Sequence, residues 1–368
     1  MFSLESEVLS PKFGFIRPDL RLKTRGFRLF QTFIMNKPVI HIILLAGLAM
    51  TSGGCSKKDG VIKNDVTPVI EDAKGDGFKN PFVTQIYTAD PSAHVWADGR
   101  LYVYPSHDID PPRGCDLMDK YHVYSTADMV SWKDEGEILR ASDVTWGRPE
   151  GGFMWAPDCA YKNGTYYFYF PHPSGTDWGN TWKIGVATSK SPASGFKSQG
   201  YIPGLESLID PCVFVDDDGQ AYFYYGGGNI CKGGKLKDNM MEIDGAMQTM
   251  QGLDDFHEAT WVHKRNGIYY LSYADNFNEA GKHNRMKYAT SKNPLGPWTY
   301  QGVYIDPTDS FTDHGSIVEF KGQWYAFYHN SSLSHNDWLR SICVNKLYYN
   351  ADGTIRKVIQ TNLNGEKN

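Results

Sequence analysis

One pattern restricts this chain more than any other: a turn glycine followed three residues later by a tyrosine, repeated five times. The glycines are Gly99, Gly164, Gly219, Gly267 and Gly322, and the tyrosines are Tyr102, Tyr167, Tyr222, Tyr270 and Tyr325. Each pair lies in a longer recurring stretch: Asp90 to Tyr104, Asp158 to Tyr169, Asp210 to Tyr224, His257 to Tyr273 and His314 to Tyr328. In the fourth stretch Asn266-Gly267 separates an apolar, aromatic run from a Tyr-rich one, the strongest short-range signal for a β-hairpin. Successive glycines are 65, 55, 48 and 55 residues apart, close to the period of propeller blades.

A second set of strands repeats behind the first. Val123 to Thr126 is followed by Trp132, Val186 to Ser189 by Phe196, and Tyr288 to Ser291 by Trp298, with turn glycines at Gly136, Gly200 and Gly302. Each repeat is then an inner hairpin plus an outer one, which is the four-stranded blade of a propeller. Little in the sequence from Asn80 onward favours helix, and no composition break divides it. The expectation is an all-β chain, a single five-bladed β-propeller over residues 80–365.

The N-terminal region reads differently. Met35-Asn36-Lys37 leads into an apolar run from Val39 to Met50, then small residues and Cys55. A basic start, an apolar stretch too short to span a bilayer and a small-residue boundary make a secretory signal. The cysteine behind it is similar to a bacterial lipoprotein cleavage site, although Ser52 stands where such sites usually carry Leu. Residues 35–55 are therefore read as a lipoprotein-type signal ending at Cys55, and 1–34 as an upstream mis-start. Residues 56–79, polar and rich in Gly, Asp and Lys, read as a flexible tether. The resulting expectation is an exported protein, an outer-membrane lipoprotein or a periplasmic one, touching membrane only through an N-terminal lipid anchor.

The remaining cysteines, Cys115, Cys159, Cys212, Cys231 and Cys343, are odd in number and lack C-x-x-C spacing, which supports neither a disulfide framework nor a zinc site. The formal net charge of -5 gives no reason to expect nucleic acid as a partner.

In a propeller the inner strands line a central channel and their equivalent ends meet at one mouth. The residues at those ends are Asp90, Asp158, Asp210, Glu258 and His314. Packing gives no reason to gather like charges, whose repulsion costs stability and raises pKa values. Chemistry does: general acid–base catalysis needs one group ready to take a proton and another ready to give one.

Ala89-Asp90-Pro91, Trp155-Ala156-Pro157-Asp158, Ile209-Asp210-Pro211, His257-Glu258 before an aromatic hairpin, and Asp313-His314-Gly315-Ser316, in that order, resemble glycoside hydrolase family 43 over about residues 80–355. The resemblance implies a five-bladed propeller enzyme acting by inversion on arabinose- and xylose-containing polysaccharides. It implies that Asp90 is the general base, Asp210 the acid that tunes and orients the proton donor, and Glu258 the general acid. It further implies that Arg340 lies near the sugar and that His314 is a channel histidine, which in some members ligates calcium; no cofactor is otherwise required. Trp155 is a candidate to stack on a sugar face, with Trp146, Trp178 and Trp182 in or beside neighbouring Gly-rich loops. The chain departs from many members in carrying Ala259-Thr260, not Gly-Pro, after the glutamate. Ile209 stands where related retaining fructosidases carry Arg.

The expected substrate is a plant cell-wall oligosaccharide or polysaccharide, and the expected activity that of an exo-acting α-L-arabinofuranosidase or β-xylosidase. An endo-arabinanase and a non-catalytic sugar-binding propeller are the alternatives. The full set of acids favours an enzyme, since a binder has no need to keep all three.

Overall fold

The computed structural model describes residues 75–110, 114–279 and 281–368, all within one compact unit. The expected signal, the lipid-attachment cysteine and most of the tether lie outside the described residues.

The strands of the described residues form five blade sheets in chain order and one separate two-stranded ribbon. The first holds β1 (Ala89–Val95), β2 (Leu101–Ser106), β3 (Lys120–Thr126) and β4 (Trp132–Arg140), with a single short helix turn, α1 (Gly114–Leu117), before β3. The second holds β5 (Asp158–Lys162), β6 (Thr165–Pro173), β7 (Trp182–Ser189) and β8 (Lys197–Tyr201). The third holds β9 (Ile209–Val215), β10 (Ala221–Gly227), β11 (Ile230–Leu236) and β12 (Ile243–Thr249). In the fourth, β13 (Phe256–Arg265) and β14 (Ile268–Asp275) are followed by a two-stranded ribbon, β15 (Asn278–Glu279) with β16 (Lys282–His283). That sheet is completed by β17 (Met286–Ser291) and β18 (Thr299–Ile305). The fifth holds β19 (Ser316–Phe320), β20 (Gln323–Asn330) and β21 (Ser341–Leu347). Every sheet is antiparallel with sequential neighbours, the meander of a propeller blade.

The repeated glycines do what their spacing implies. Asn266-Gly267 has φ of 50° and 75°, Asn163-Gly164 50° and 77°, and Lys321-Gly322 52° and 83°. Two consecutive positive φ angles define the type I′ turn, whose twist matches the flanking strands. The repeated tyrosines fall on the second strand of each blade; Tyr270 among them is fully buried, as are Tyr104, Tyr169, Tyr224, Tyr273 and Tyr328 two or three residues further along the same strands. They pack between blades: Tyr104, Tyr121 and Phe168 join the first to the second, and Tyr169, Val213 and Phe223 the second to the third. Burying one such side chain contributes about 1.5–3 kcal/mol, so the inter-blade layers hold the ring. The five cysteines among the described residues are all buried and none is in a disulfide.

The fifth blade departs from the expected four strands: it has three. Its open edge is covered by residues from the start of the described chain. Phe82 N–H donates to the Ile342 carbonyl (3.1 Å) and Thr88 N–H to the Arg340 carbonyl (2.8 Å). Val344 N–H donates to Asn80 Oδ1 (2.9 Å), and Ile342 N–H to Thr88 Oγ1 (3.3 Å). The ring is thus closed by pairing the two ends of the domain, which covers the edge of β21.

Candidate active site

Three of the five inner strands are irregular in the same place. The β1–β2 ladder slips between Ala89 and Ser92, β9–β10 opposite Tyr225, and β13–β14 between Glu258 and Trp261. In each the extra residues are Asp90-Pro91, Asp210-Pro211 and Ala259-Thr260. Asp90, Asp210 and Ala259 take left-handed φ angles of 52°, 54° and 66°. A bulge re-aims side chains, proline suits it because it has no N–H to lose, and strained backbone of this kind gathers at functional sites. The inner strands of the other two blades pair without a slip. The bulges therefore pick out the three acids Asp90, Asp210 and Glu258.

All three line one cavity of about 200 Å³, smaller than the 300–1,000 Å³ typical of drug-sized ligands. Its wall also includes Trp155, Ile209, His257, Phe311, His314, Trp338 and Arg340. Asp90 is held from several sides. Ser106 Oγ donates to its Oδ2 (2.6 Å), Arg340 Nη1 to its Oδ1 (3.1 Å), and its own backbone N–H to His329 Nδ1 (3.0 Å). Burial works against the ionised Asp90, but the Arg340 guanidinium beside it and the Ser106 hydroxyl favour the charge, and the carboxyl is held below its ordinary value. Arg340 is itself clamped: Asp108 accepts from its Nε (2.9 Å), Nη2 (3.0 Å) and backbone N–H (2.8 Å). That two-pronged pair fixes a planar cation beside the base position.

Asp210 is placed from the fourth blade. Ala259 N–H donates to its Oδ2 (2.8 Å) and the Thr260 hydroxyl to its backbone carbonyl (2.5 Å). The Ala259-Thr260 pair thus clasps Asp210 through the bulge. Burial pushes the Asp210 carboxyl well up, and the Glu258 and Asp90 charges add to it. Glu258 is raised too, chiefly by burial, against the opposing effect of His257 (Nε2 to Oε2, 3.6 Å). Asp210 and Glu258 interact closely enough to titrate as a pair. One acid kept ionised and a second kept protonated is the division that acid–base hydrolysis requires.

His314 stands between the carboxylates, with Nδ1 4.0 Å from Asp90 Oδ1 and 3.8 Å from Asp210 Oδ2. Burial lowers its pKa to about 4, so the ring is neutral at physiological pH. Among the described residues no group of three or more His, Cys, Asp or Glu side chains is arranged to hold a metal. Calcium takes six to eight oxygen ligands, waters among them, so His314 and the carboxylates beside it would supply only part of such a shell.

Trp155 lines the cavity, its indole N–H donating to the Cys115 carbonyl (2.6 Å). Trp182 packs 4.5 Å from it and is buried, while Trp146 packs on Phe170, His172 and Tyr201 away from the cavity. Trp178, 55% exposed and 5.4 Å from Trp155, is the loop tryptophan left open to solvent.

Asp158 is a correction. It starts its strand as expected but does not line the cavity. It accepts from Ser92 Oγ (2.5 Å), Cys159 N–H (2.8 Å) and Val213 N–H (2.6 Å), and lies 2.6 Å from His94 Nε2. Those partners belong to the first, second and third blades, so the carboxylate is a tie between blades. Its strand has no bulge to turn it toward the mouth.

Ser106, Asp108 and His329 were missed by sequence reasoning, and His257 was read only as part of the motif around Glu258. Counting back from Gly99 along a regular hairpin places Ser106 across from Asp90, so one of them was within reach.

The family model for glycosyl hydrolases family 43 matches residues 78–355. The chain belongs to this family. It is a glycoside hydrolase, and the family acts by inversion. Among relatives of this family 43 enzyme, a xylosidase/arabinosidase of Bacteroides ovatus is 36% identical over 73% of this chain and 94% of its own. A xylosidase/arabinosidase 43A of Humicola insolens is 38% identical over 75% and 98%. In structure the family 43 chain is similar to a β-xylosidase/α-arabinofuranosidase from a compost microbial metagenome, solved with xylotriose in a calcium-free form. That pair has a TM-score of 0.69 and 39% identity, over 77% of this chain and 97% of the other.

Proposed function

We propose that this enzyme removes terminal arabinofuranosyl or xylosyl units from plant cell-wall oligosaccharides, with Asp90 as general base, Glu258 as general acid and Asp210 as partner of the acid. The observation that carries the assignment is the opposite treatment of the acids. Arg340 keeps Asp90 ionised, while burial keeps a proton on the Asp210–Glu258 pair. Water activated by Asp90 attacks the anomeric carbon as Glu258 protonates the leaving oxygen. The small, walled cavity suits a chain end, and the relatives and structural neighbours named for xylosidase and arabinosidase activity point to the same sugars.

The test is a paired rate measurement on aryl α-L-arabinofuranoside and β-D-xyloside, with sugar release from xylo- and arabino-oligosaccharides. Release of single pentoses is the expected result. Rapid loss of viscosity in linear arabinan with no free pentose would point to the endo reading. The two acids supply both proton transfers, so turnover should survive chelation; a loss restored by calcium would place that ion at His314.

The N-terminal residues support a separate proposal: export and anchoring through a lipidated Cys55. A single acyl chain binds membranes only marginally, so the mature protein should carry more than one. Wild-type protein should partition with membranes and Cys55→Ala should be released as active soluble enzyme. Wild-type protein wholly in the soluble fraction would exclude the anchor.

A further inference from the structure

We infer that His329 is a positioning residue for the catalytic base, acting through the backbone of Asp90 as a neutral, tautomer-locked acceptor. The inference rests on Asp90 being the base. The bulge in β1 takes the Asp90 N–H out of the strand ladder, since pairing resumes only at Ala89 and Ser92. A donor so freed inside a buried site needs a partner. His329 Nδ1 is that partner at 3.0 Å. The other ring nitrogen, Nε2, lies 2.6 Å from the Thr312 carbonyl oxygen. A carbonyl can only accept and an N–H can only donate, so the ring carries its hydrogen on Nε2 and presents a lone pair at Nδ1. His329 is fully buried, and burial with the nearby Arg340 charge lowers its pKa to about 3. The charged and titratable groups facing it are Asp90 from β1, Arg340 from the approach to β21 and His314 from the approach to β19.

The consequence is geometric. Asp90 sits at a φ of 52°, which a non-glycine residue holds only when its surroundings over-determine it. Ser106 and Arg340 fix the two carboxylate oxygens, and among the described residues His329 is the side chain that hydrogen-bonds the peptide aiming them, its Nδ1 also 3.5 Å from Asp90 Oδ1. Without it the peptide is free to return toward the strand ladder, drawing the carboxylate off Arg340 and away from the attacking water. Misplacement of about 1 Å at a reacting group costs on the order of 10²-fold in rate.

The test compares His329→Asn, His329→Gln and His329→Leu. Asn retains an acceptor near the Nδ1 position, Gln reaches only the Nε2 position, and Leu offers neither. The expected order of kcat is wild type, Asn, then Gln and Leu about 10²-fold down, with KM changed less than about threefold. The acid limb of the kcat/KM profile should move up toward the ordinary carboxylate value in Gln and Leu, with the alkaline limb unmoved. A purely structural role would lower the melting temperature and leave the acid limb in place, and that result would overturn the inference. Asp90→Asn is the control. If it remains active the base assignment itself falls; if it is inactive while His329→Gln keeps wild-type kcat, only the positioning role falls. Should the variants not fold, nitrogen-15 shifts of the wild-type ring decide: a bare Nδ1 supports the inference, and a protonated Nδ1 overturns it.

Discussion

The proton inventory of the mouth sets what single residues are expected to do. Asp90 is held low, so the base is lost only as pH falls through a value below the ordinary carboxylate range. Asp210 and Glu258 are raised, so the acid is lost as pH rises through a value above that range. The kcat/KM profile should be a bell widened at both ends. Asp210→Asn takes away the second ionisable carboxyl of the pair, so Glu258 alone should lose its proton at lower pH and the alkaline limb should come down while the acid limb stays where it is; an alkaline limb that stays put would show that Asp210 does not tune the acid. Glu258→Gln should cut activity on natural oligosaccharides by about 10²–10⁴-fold, and by less on aryl glycosides whose leaving group needs little protonation. Equal losses on both would remove Glu258 from the acid role. The acids were readable as a group because the repeat aligned them at equivalent strand ends, and the family resemblance separated the three catalytic ones from Asp158. The cause of the Glu258 shift was not: the sequence suggested the charge of Asp210, whereas burial dominates, and burial is a property of the closed ring.

At the scale of strands and blades, the contrast between Asp158 and its three counterparts carries the lesson. All begin an inner strand, and the repeat gives no way to tell them apart. A bulge separates them, and its cause lies across the strand pair, in which ladder partner is skipped. Asp90-Pro91 and Asp210-Pro211 hint at it, since proline is expelled from regular ladders, yet Ala259-Thr260 bulges without one. Asp158 stays in register and ties three blades through Ser92, Cys159 and Val213. Asp158→Ala should destabilise the fold by about 3–5 kcal/mol, because it strands buried donors around a missing acceptor. The measurement is the urea midpoint at unchanged slope. Asp158→Ala with wild-type stability and lost activity would instead give Asp158 a part in the chemistry at the mouth.

The whole ring depends on how it is fastened, and here hairpin-level reading could not reach. Five repeats told of five blades, but not that the fifth has three strands and borrows its outer edge. The borrowed segment, Asn80 to Thr88, has no strand-like alternation to announce it; its partners are some 260 residues away. Asn80 is the clasp. Its side chain donates to the Val344 carbonyl (2.9 Å), Asn345 Oδ1 (3.1 Å) and Thr361 Oγ1 (3.0 Å), and accepts from Val344 N–H (2.9 Å). Phe82 adds a wedge, stacked 4.2 Å from Trp132 of the first blade and edge-on to Phe327 of the fifth. The same segment reaches the active site, since Thr88 N–H holds the Arg340 carbonyl and Asp90 follows two residues later. Asn80→Ala leaves the Val344 N–H and carbonyl without their partner, at a cost of about 1–3 kcal/mol for each group left unsatisfied. Because the clasp joins the ends of the ring, that cost should appear first as local opening of the first and fifth blades. In wild-type protein, activity and far-ultraviolet circular dichroism should be lost together across a urea titration. In Asn80→Ala, activity should disappear at lower urea than the strand signal, as Arg340 and Asp90 part before the other blades melt. Coincident loss in the variant would mean that the ring opens all at once and that its fastening is spread over the inter-blade layers, with no single clasp.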